Sequence, residues 1–362
     1  MTTGKRKLDH IRICLEKVVE GSSRPFDDLA LVHRALPGID ADEIDTRCRF
    51  LGKDLTIPLM ISGMTGGHSD TKEINVNLAL AAQEVGVAMG VGSQRAALER
   101  PEVEETFSAV RDAAPKIPIV GNIGAVQLQR EGAEVLDRLA EMIDADAIAV
   151  HLNFLQESVQ PEGETEARSA IEAIRSASDR RVPIIAKETG AGISREDARL
   201  LLEAGVEIID VGGLGGTSWS GVEGFRAEER GDTESARMGR LFWDWGVPTP
   251  VSVVECASAG AKVVSSGGVR SGIDVAKSIA LGASLAGAAL PFLAPAAEGS
   301  SKVVESLKVY KRAFRTAMFL TASKDVSDLG SAPIIVLGRT REILEQRGFD
   351  TKKFSIYREM SR

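Results

Sequence analysis

Apolar and polar positions alternate in blocks along most of the chain. From Leu55 onward, short and nearly continuous apolar runs are followed by polar or amphipathic stretches. Such runs are typical of parallel strands covered on both faces, and their alternation with helices predicts a parallel sheet. The runs number eight, which favours a closed α/β barrel, the (β/α)8 or TIM barrel, over an open sheet. In chain order they are LTIPLMIS, VAMGVG, IPIVGNIG, AIAVHLN, VPIIAKET, EIIDVGG, AKVVSSGG and ASLAGAAL.

Three segments of the chain do not follow this repeat: one at each end and one after the sixth apolar run. Residues 1–54 are a polar, partly helical extension, 55–325 form the predicted barrel, and 326–362 are predicted to pack on it. The stretch Gly212–Arg240 is too long and glycine-rich for an ordinary connection, so we predict a long loop after strand six that acts as a lid or active-site loop. An open doubly wound sheet is expected to carry GxGxxG after its first strand, whereas this chain has SGMTGGH at that position.

Composition and charge exclude several classes of protein. The 362 residues are 43% hydrophobic and 27% charged, as in soluble globular proteins. A net charge of −8 gives no overall basic field, so we expect no nucleic-acid partner and no binding to an anionic membrane. The polar N-terminus and the absence of a long apolar run predict a cytoplasmic protein. Three widely spaced cysteines favour reduced thiols over a disulfide framework or a zinc site.

Polar side chains follow the ends of the predicted strands. In barrels the active site lies at the C-terminal ends of the strands, so these positions are the informative ones. Amide, hydroxyl and cationic groups recur there, which predicts a ligand site at this rim. The groups are Ser62-Gly63-Met64-Thr65, Ser93-Gln94-Arg95, Asn122, His151, Asn153, Lys187 and Thr217.

The last two strands carry a phosphate-binding pattern. Gly267, Gly268 and Arg270 lead from strand seven into a helix, and Ala286-Gly287-Ala288 is expected to follow strand eight. Glycine lets backbone N–H groups approach a phosphate, and a helix N-terminus favours an anion. The alternative is a pair of flexible glycine-rich loops without a ligand.

Lys187 ends the apolar run VPIIAK. It is either a lysine whose stem is buried at the barrel mouth or a cation that faces a ligand. We favour the second interpretation, because a reduced flavin is anionic around its N1–C2=O edge. Asn122 and Thr217 are candidates to bond the same ring or its ribityl chain. The sequence shows one phosphate-binding site and no unit that would bind an adenosine, so the pattern indicates FMN rather than a dinucleotide.

The segment HLNFLQE clusters an imidazole, two amides and a carboxylate. His151 and Asn153 share one face of a strand, and Gln156 and Glu157 then turn over the mouth. A core histidine beside a solvated loop is the alternative. Glu157 is too solitary for a metal site made by protein alone, but Mg²⁺ commonly binds one carboxylate together with substrate phosphates.

The extension begins with Lys5-Arg6-Lys7. Such a basic N-terminus is either a solvated tail or, beside a polyanionic ligand, a pair of cations that bind phosphate oxygens.

With these residues in view, the chain resembles the type 2 isopentenyl-diphosphate Δ-isomerases over nearly its whole length. RKLDH together with HLNFLQE is the specific part of the resemblance, whereas SSGGVRSG fits many FMN barrels. The other matching stretches are SGMTGG, GSQR, GNIG, PEG, AKETG and VGGLGGTSW.

The resemblance implies interconversion of isopentenyl and dimethylallyl diphosphate with reduced FMN and Mg²⁺, with NADPH as the flavin reductant. It also implies a homo-tetramer or homo-octamer. Implied substrate contacts are Arg6, Lys7, Ser93, Gln94, Arg95, Asn153 and Gln156, and the implied Mg²⁺ ligand is Glu157. Implied FMN contacts are Ser62, Gly63, Met64, Thr65, Ser93, Asn122, Lys187, Thr217, Gly267, Gly268, Arg270, Ala286 and Gly287.

The mechanism that we favour moves protons without net redox change. The reduced flavin exchanges protons at N5, Lys187 keeps it anionic, and Gln156 and His151 position the substrate and assist proton movement. An oxidase of 2-hydroxy acids would need a histidine at the end of a late strand, and none of the four histidines lies late in the chain. An inosine-monophosphate dehydrogenase would need a nucleophilic cysteine in a loop, but Cys256 falls in a helical pattern. A non-catalytic flavin- or phosphate-binding protein is the remaining alternative.

Overall fold

The N-terminal extension reaches both ends of the molecule. We describe residues 3–356 in a computed structural model. The extension contains helix α1 (Thr3–Glu16), strand β1 (Leu29–Leu31) and an antiparallel hairpin of β2 (Cys48–Phe50) and β3 (Lys53–Leu55). Phe50 and Leu55 pack against Met60 and other residues inside the barrel, so the hairpin closes its N-terminal end.

Among these residues, eight parallel strands close a barrel, which confirms the predicted fold. The first one begins at Leu59 and not at Leu55, because Leu55 lies in the hairpin and Pro58 has no N–H for a ladder. The strands are β4 (Leu59–Ile61), β5 (Ala88–Gly90), β6 (Ile119–Gly124), β7 (Ala147–Leu152), β8 (Ile184–Glu188), β9 (Ile208–Asp210), β10 (Lys262–Ser266) and β11 (Leu285–Ala288).

Alternation along the strands divides the barrel interior into two levels. The lower level is apolar and includes Val120, Ile185 and Val264. Two residues further along a strand, the side chain points to the same face. The upper level at the C-terminal mouth is therefore polar, and it consists of Ser62, Asn122, His151, Lys187, Asp210 and Ser266.

Helices surround the barrel and bury its outer face in the main apolar core. Helix ends follow local signals. The Ser271 hydroxyl caps the helix Gly272–Ala280, and Gly86 ends the helix Ser69–Val85 with a φ of 77°. The helices between and after the strands are α2 (Ser69–Val85), α3 (Arg95–Glu99), α4 (Glu105–Ala113), α5 (Ala125–Glu131), α6 (Val135–Ile143), α7 (Phe154–Val159), α8 (Ala170–Ser178), α9 (Arg195–Glu203), α10 (Trp219–Glu229), α11 (Thr233–Leu241), α12 (Thr249–Ala259), α13 (Gly272–Ala280), α14 (Leu290–Glu298) and α15 (Ser300–Leu320).

The connection after strand six is long, as predicted, but most of it is helical. Helices α10 and α11 occupy most of Gly212–Arg240. A Cβ on Gly239 would lie 2.5 Å from the Gly224 Cα, and one on Gly221 would lie 2.6 Å from the Trp243 ring. These glycines therefore allow close packing of α10 against its neighbours and do not indicate a flexible loop.

The C-terminal segment contains α16 (Val326–Ser331), β12 (Ile334–Val336) and α17 (Gly338–Gln346). Strand β12 pairs antiparallel with β1 outside the barrel, which joins this segment to the N-terminal extension. Short 3-10 turns complete the described chain at Pro25–Asp28, Ala41–Glu43, Pro101–Val103 and Thr351–Phe354. Within residues 3–356, none of the helices has the length and apolar character needed to cross a membrane.

Candidate active site

A cavity of about 240 Å³ lies at the C-terminal mouth of the barrel, beneath α1. Its walls come from strand ends, as the sequence predicts for a barrel active site. The predicted site residues that line it are Arg6, Lys7, Ser62, Gly63, Met64, Ser93, Arg95, Asn122, His151, Asn153, Gln156, Glu157, Lys187, Thr217, Gly267, Gly268, Arg270 and Gly287.

Three predicted contacts do not line the cavity. Gln94 is fully buried, and its amide donates to the Leu139 carbonyl oxygen at 3.0 Å and accepts from the Asn122 N–H at 2.9 Å. Its side chain thus fixes the Asn122 backbone instead of facing a ligand. Ala286 lies one residue before Gly287, so its side chain points to the outer face of the strand. The Thr65 hydroxyl is buried outside the cavity lining.

Two glycine loops meet backbone to backbone beside the cavity. Gly267 and Gly268 have φ values of 99° and 83°, which favour glycine. A Cβ on Gly268 would lie 2.5 Å from the Gly215 carbonyl oxygen, and one on Gly216 would lie 2.7 Å from the Gly268 nitrogen. The contact between these loops therefore requires glycine, and it forms a cradle whose backbone is open to the cavity.

The cradle has the donors that a phosphate requires. Helix α13 begins just after it, so its N-terminus adds a positive dipole end. Arg270 lines the cavity, forms an ion pair with Glu20, and has a pKa lowered by burial. The Ser62 hydroxyl is buried without a hydrogen-bond partner among the described residues, and a Cβ on Gly287 would lie 2.6 Å from it. An unsatisfied hydroxyl and a glycine cradle fit the binding of FMN.

Lys187 lies on the cavity floor in an ion pair that the sequence prediction missed. Its Nζ donates to Asp210 Oδ2 at 2.7 Å and to the Ser266 hydroxyl at 3.4 Å. The Lys187 side chain is 13% exposed and the Asp210 side chain 1%. The ammonium is therefore held at the base of the cavity and faces it.

His151 is neutral in its surroundings. Burial lowers its pKa to about 3, and the charges of Lys187, Lys7 and Arg6 act in the same direction. Its Nδ1 lies 2.7 Å from Asn122 Oδ1, an acceptor, so Nδ1 carries the proton. Nε2 is left as a hydrogen-bond acceptor.

A second cluster joins α1, α7 and α10. Glu223 Oε1 accepts from His10 Nε2 at 2.8 Å and from Gln156 Nε2 at 2.9 Å, and Arg226 pairs with the other oxygen. Burial alone would raise the pKa of Glu223, but His10, Arg226 and Gln156 together lower it to about 2. The ionised carboxylate fixes the orientation of the Gln156 amide.

Glu157 is held by its neighbours and not by other metal-binding side chains. Its carboxylate accepts from Asn153 Nδ2 at 2.8 Å, from Gln160 Nε2 at 3.2 Å and from the Glu164 N–H at 2.9 Å. Within the described chain, no group of three His, Cys, Asp or Glu residues is placed to hold a metal ion. Glu157 therefore fits Mg²⁺ only as one ligand of an ion whose other ligands come from a substrate or water.

The basic N-terminal residues close one side of the cavity. Lys7 Nζ donates to the Ser93 carbonyl oxygen at 2.7 Å, and Arg6 lies on the cavity wall. Burial, together with the charges of Arg6 and Arg100, lowers the pKa of Lys7 to about 7. The structure thus brings both residues to the cavity and not into a solvated tail.

Arg95 is engaged by acidic side chains. It pairs with Glu99 at 2.7 Å and with Glu164 at 2.6 Å, and Arg130 also binds Glu164. A diphosphate that contacts Arg95 has to compete with these two carboxylates.

Glu188 anchors the loop after β8. One carboxylate oxygen accepts from four successive backbone N–H groups, those of residues 189–192. Burial raises the pKa of Glu188 to about 7, although these N–H groups oppose the shift. The loop that follows Lys187 is thereby fixed at the cavity edge.

Sequence reasoning missed several of these residues. Asp210 ends an apolar strand two residues after Ile208, so the two-residue period of a strand predicts that both side chains point into the barrel. Glu223 lies one helical turn from Trp219, in a stretch taken for a loop. His10 was noted only within the RKLDH motif. Apart from Arg226, which lies three residues after Glu223, their partners are distant in sequence, so no local pattern pairs them.

Comparison with known proteins adds an independent line of support. The chain matches the FMN-dependent dehydrogenase family over residues 15–112 and 130–336. It is 64% identical to the isopentenyl-diphosphate delta-isomerase of Methanothrix thermoacetophila, over 98% of this chain and 99% of the relative. The enzyme of the same name from Methanococcoides burtonii is 53% identical, over 98% and 99%. That from Methanosarcina acetivorans is 51% identical, over 98% of each chain.

Solved structures show the same fold. Mandelate oxidase with 3,3-difluoro-2-hydroxy-3-phenylpropionic acid gives a TM-score of 0.63 at 20% identity, covering 91% of this chain and 95% of that one. A mutant of that enzyme with benzaldehyde gives 0.63 at 20% identity, covering 92% and 94%. At such identity the likeness establishes the barrel alone, whereas the sequence relatives are far closer. The chain therefore belongs to the FMN-dependent dehydrogenase family and, within it, to the isopentenyl-diphosphate delta-isomerases.

Proposed function

We propose that this enzyme interconverts isopentenyl and dimethylallyl diphosphate with reduced FMN and Mg²⁺. The observation that carries the proposal is that one cavity brings a glycine cradle and Lys187 together with Gln156, His151 and the N-terminal cations. One part suits a flavin phosphate and ring, and the other suits a small anionic substrate. The names of the sequence relatives support the same reaction.

The chain holds the cofactor at the base of the cavity. The N–H groups around Gly267 and Gly268, with Arg270, bind the phosphate, and Ser62 donates its unsatisfied hydroxyl. Asn122 and Thr217 contact the ring or the ribityl chain. When bound, reduced FMN supplies an electron-rich ring and a proton-exchanging N5. Lys187 places a positive charge on the cavity floor, which would favour the anionic form of the ring.

The substrate diphosphate lies on the other side, toward α1. Arg6 and Lys7 supply charge, and Arg95 contributes where the phosphate displaces its acidic partners. Mg²⁺ is bound by Glu157 and by phosphate oxygens. The apolar end of the substrate is thereby directed at the cofactor.

Gln156 and His151 position the reacting carbons. Gln156 Nε2 is committed to Glu223, so its oxygen is oriented by a fixed contact. His151 offers Nε2 as an acceptor and, with its low pKa, does not become a competing cation. Moving the double bond needs one proton added at one carbon and another removed two carbons away, which is the proton exchange that the cofactor would supply. The Gln156 oxygen and His151 Nε2 would act as hydrogen-bond acceptors that position the substrate for it.

The dehydrogenase alternatives fit the structure poorly. A histidine with a pKa of about 3 is a weak base for removing a proton from a hydroxy acid. Cys256 is buried in α12, where burial raises its pKa to about 12, so it is no loop nucleophile.

One incubation tests the proposal. Purified protein with FMN, Mg²⁺, NADPH and isopentenyl diphosphate should form dimethylallyl diphosphate, which is separated from the substrate after acid hydrolysis or detected by mass spectrometry with an isomer standard. Omitting FMN or NADPH should abolish product. Bound substrate with no product would favour a non-catalytic binding protein. The homo-tetramer or homo-octamer stays a prediction, to be checked by sedimentation.

A further inference from the structure

The pair of Lys187 and Asp210 lies on neighbouring barrel strands. The two residues are directly opposite each other in the register of β8 and β9. Lys187 lines the main cavity, whereas Asp210 lines a separate small void inside the barrel, which Lys187 also borders. The ammonium is therefore closer to a bound ligand than the carboxylate is.

The hydrogen bonds show that Asp210 is ionised. The Ser266 hydroxyl accepts from the Gly212 N–H at 3.2 Å and from Lys187 Nζ at 3.4 Å, so its single hydrogen is directed to Asp210 Oδ1. Lys187 donates to Oδ2. Both carboxylate oxygens thus accept hydrogen bonds. A protonated carboxyl group would have a hydrogen of its own to donate, and it would find no acceptor among these partners.

Without this partner, a largely buried ammonium would be unfavourable. Asp210 therefore holds the Lys187 ammonium in place, and Ser266 holds Asp210 in place. The same carboxylate also opposes the field that Lys187 exerts on the cavity.

We infer that Asp210 is a positioning residue for Lys187 and a buried counter-charge that sets how strongly this lysine favours an anionic ligand. The inference rests on the proposed function in one respect, that the ligand is FMN. Lys187 favours the reduced, more negative form, and Asp210 limits that preference. Removing only the charge of Asp210 should then shift the balance toward reduced flavin.

Asp210→Asn is the direct test, because the amide keeps the size of the side chain and an acceptor oxygen for Lys187. The measurement is the ratio of dissociation constants for oxidised and reduced FMN on the intact protein. This ratio should rise tenfold or more, equal to a midpoint potential about 30 mV higher for a two-electron couple. In a Lys187→Met background the same replacement should raise the ratio less, because the ammonium whose field Asp210 limits is absent.

Asp146→Asn is the matched control. Asp146 is also paired with cations, Lys53 and Arg111, but it lies at the N-terminal end of the barrel, so its replacement should leave the ratio unchanged. An unchanged or lower ratio in Asp210→Asn, or an equal rise in the control, would overturn the inference.

A second arm needs no flavin. In the apoprotein, Asp210→Asn and Lys187→Met should each lower the melting temperature, and the double variant should lose less than the sum. Additive losses would overturn the pairing. If Asp210→Asn folds only together with Lys187→Met, that result supports the pair, because the double variant leaves no unpaired charge. Failure of the wild-type protein to bind FMN would instead refute the proposed function, and the apoprotein arm would still decide whether the pair exists.

Discussion

Lys7 provides a direct test of whether α1 binds the substrate. Its Nζ donates to the Ser93 carbonyl oxygen at 2.7 Å and lies 5.2 Å from the centre of the Phe107 ring. Burial and the charges of Arg6 and Arg100 lower its pKa to about 7. Lys7→Met removes the cation and keeps most of the apolar stem, so packing against Phe107 is preserved.

The size of the effect follows from the contact that is lost. A hydrogen bond to a charged group contributes about 1.5–3 kcal/mol, and each 1.36 kcal/mol is tenfold. Lys7→Met should therefore lower kcat/KM for isopentenyl diphosphate about 10- to 150-fold while FMN stays bound. Lysine is a cation only below its pKa, so kcat/KM of the wild type should fall as the pH rises above about 7. Because arginine stays charged in this pH range, kcat/KM of the Lys7→Arg variant should not fall as the pH rises.

The assay is kcat/KM as a function of pH from about 6 to about 9, since this parameter reports groups of the free enzyme. Lys53→Met is the control, because Lys53 pairs with Asp146 at the opposite end of the barrel. A wild-type profile without this decline, together with a Lys7→Met variant that uses substrate as efficiently as wild type, would refute the placement of Lys7 against the diphosphate.

Three other predictions concern the metal, the cradle and the reductant. Glu157→Gln should weaken Mg²⁺-dependent substrate binding and leave FMN retention intact; an unchanged Mg²⁺ titration would remove Glu157 from the site. Gly268→Ala should purify without bound FMN and therefore without yellow colour, because the added Cβ would lie 2.5 Å from the Gly215 carbonyl oxygen at a φ of 83°. A yellow variant with a full complement of FMN would refute the proposed phosphate cradle. NADPH consumption should stop at one equivalent per flavin while many substrate molecules react, whereas one NADPH per product would indicate an oxidoreductase.

The barrel was predictable because each strand carries its own signal. A run such as IPIVGNIG identifies a buried strand from local sequence alone, and the two-residue period then places Asn122 at the mouth. His151 and Lys187 follow by the same rule. The rule fails just beyond a strand, where the backbone no longer alternates: Gln94 lies after the end of β5, and its side chain points into the wall.

The partners of these residues could not be predicted in the same way. Glu223 meets His10 across 213 residues and Gln156 across 67, and only the packing of α10 against α1 and α7 brings them together. The helices themselves were hidden by glycine, which usually indicates a turn. In Gly224 and Gly239 it serves close helix packing instead, a use that depends on a neighbour the sequence does not show.

The limits of the family match pass through the candidate site. Lys187, Gly267, Gly268 and Arg270, which we propose hold the flavin, lie in the matched range 130–336, and so do Gln156 and Glu157. Residues 1–14 lie outside it, and this part of α1 carries Arg6, Lys7 and His10. A barrel common to oxidases and isomerases cannot by itself choose the reaction, because function depends on the groups placed at its mouth. In this chain the N-terminal helix brings the cations that suit a diphosphate, and through His10 it also contacts the carboxylate that orients Gln156. We therefore propose that the choice of substrate and the alignment of the reacting carbons are coupled through this helix.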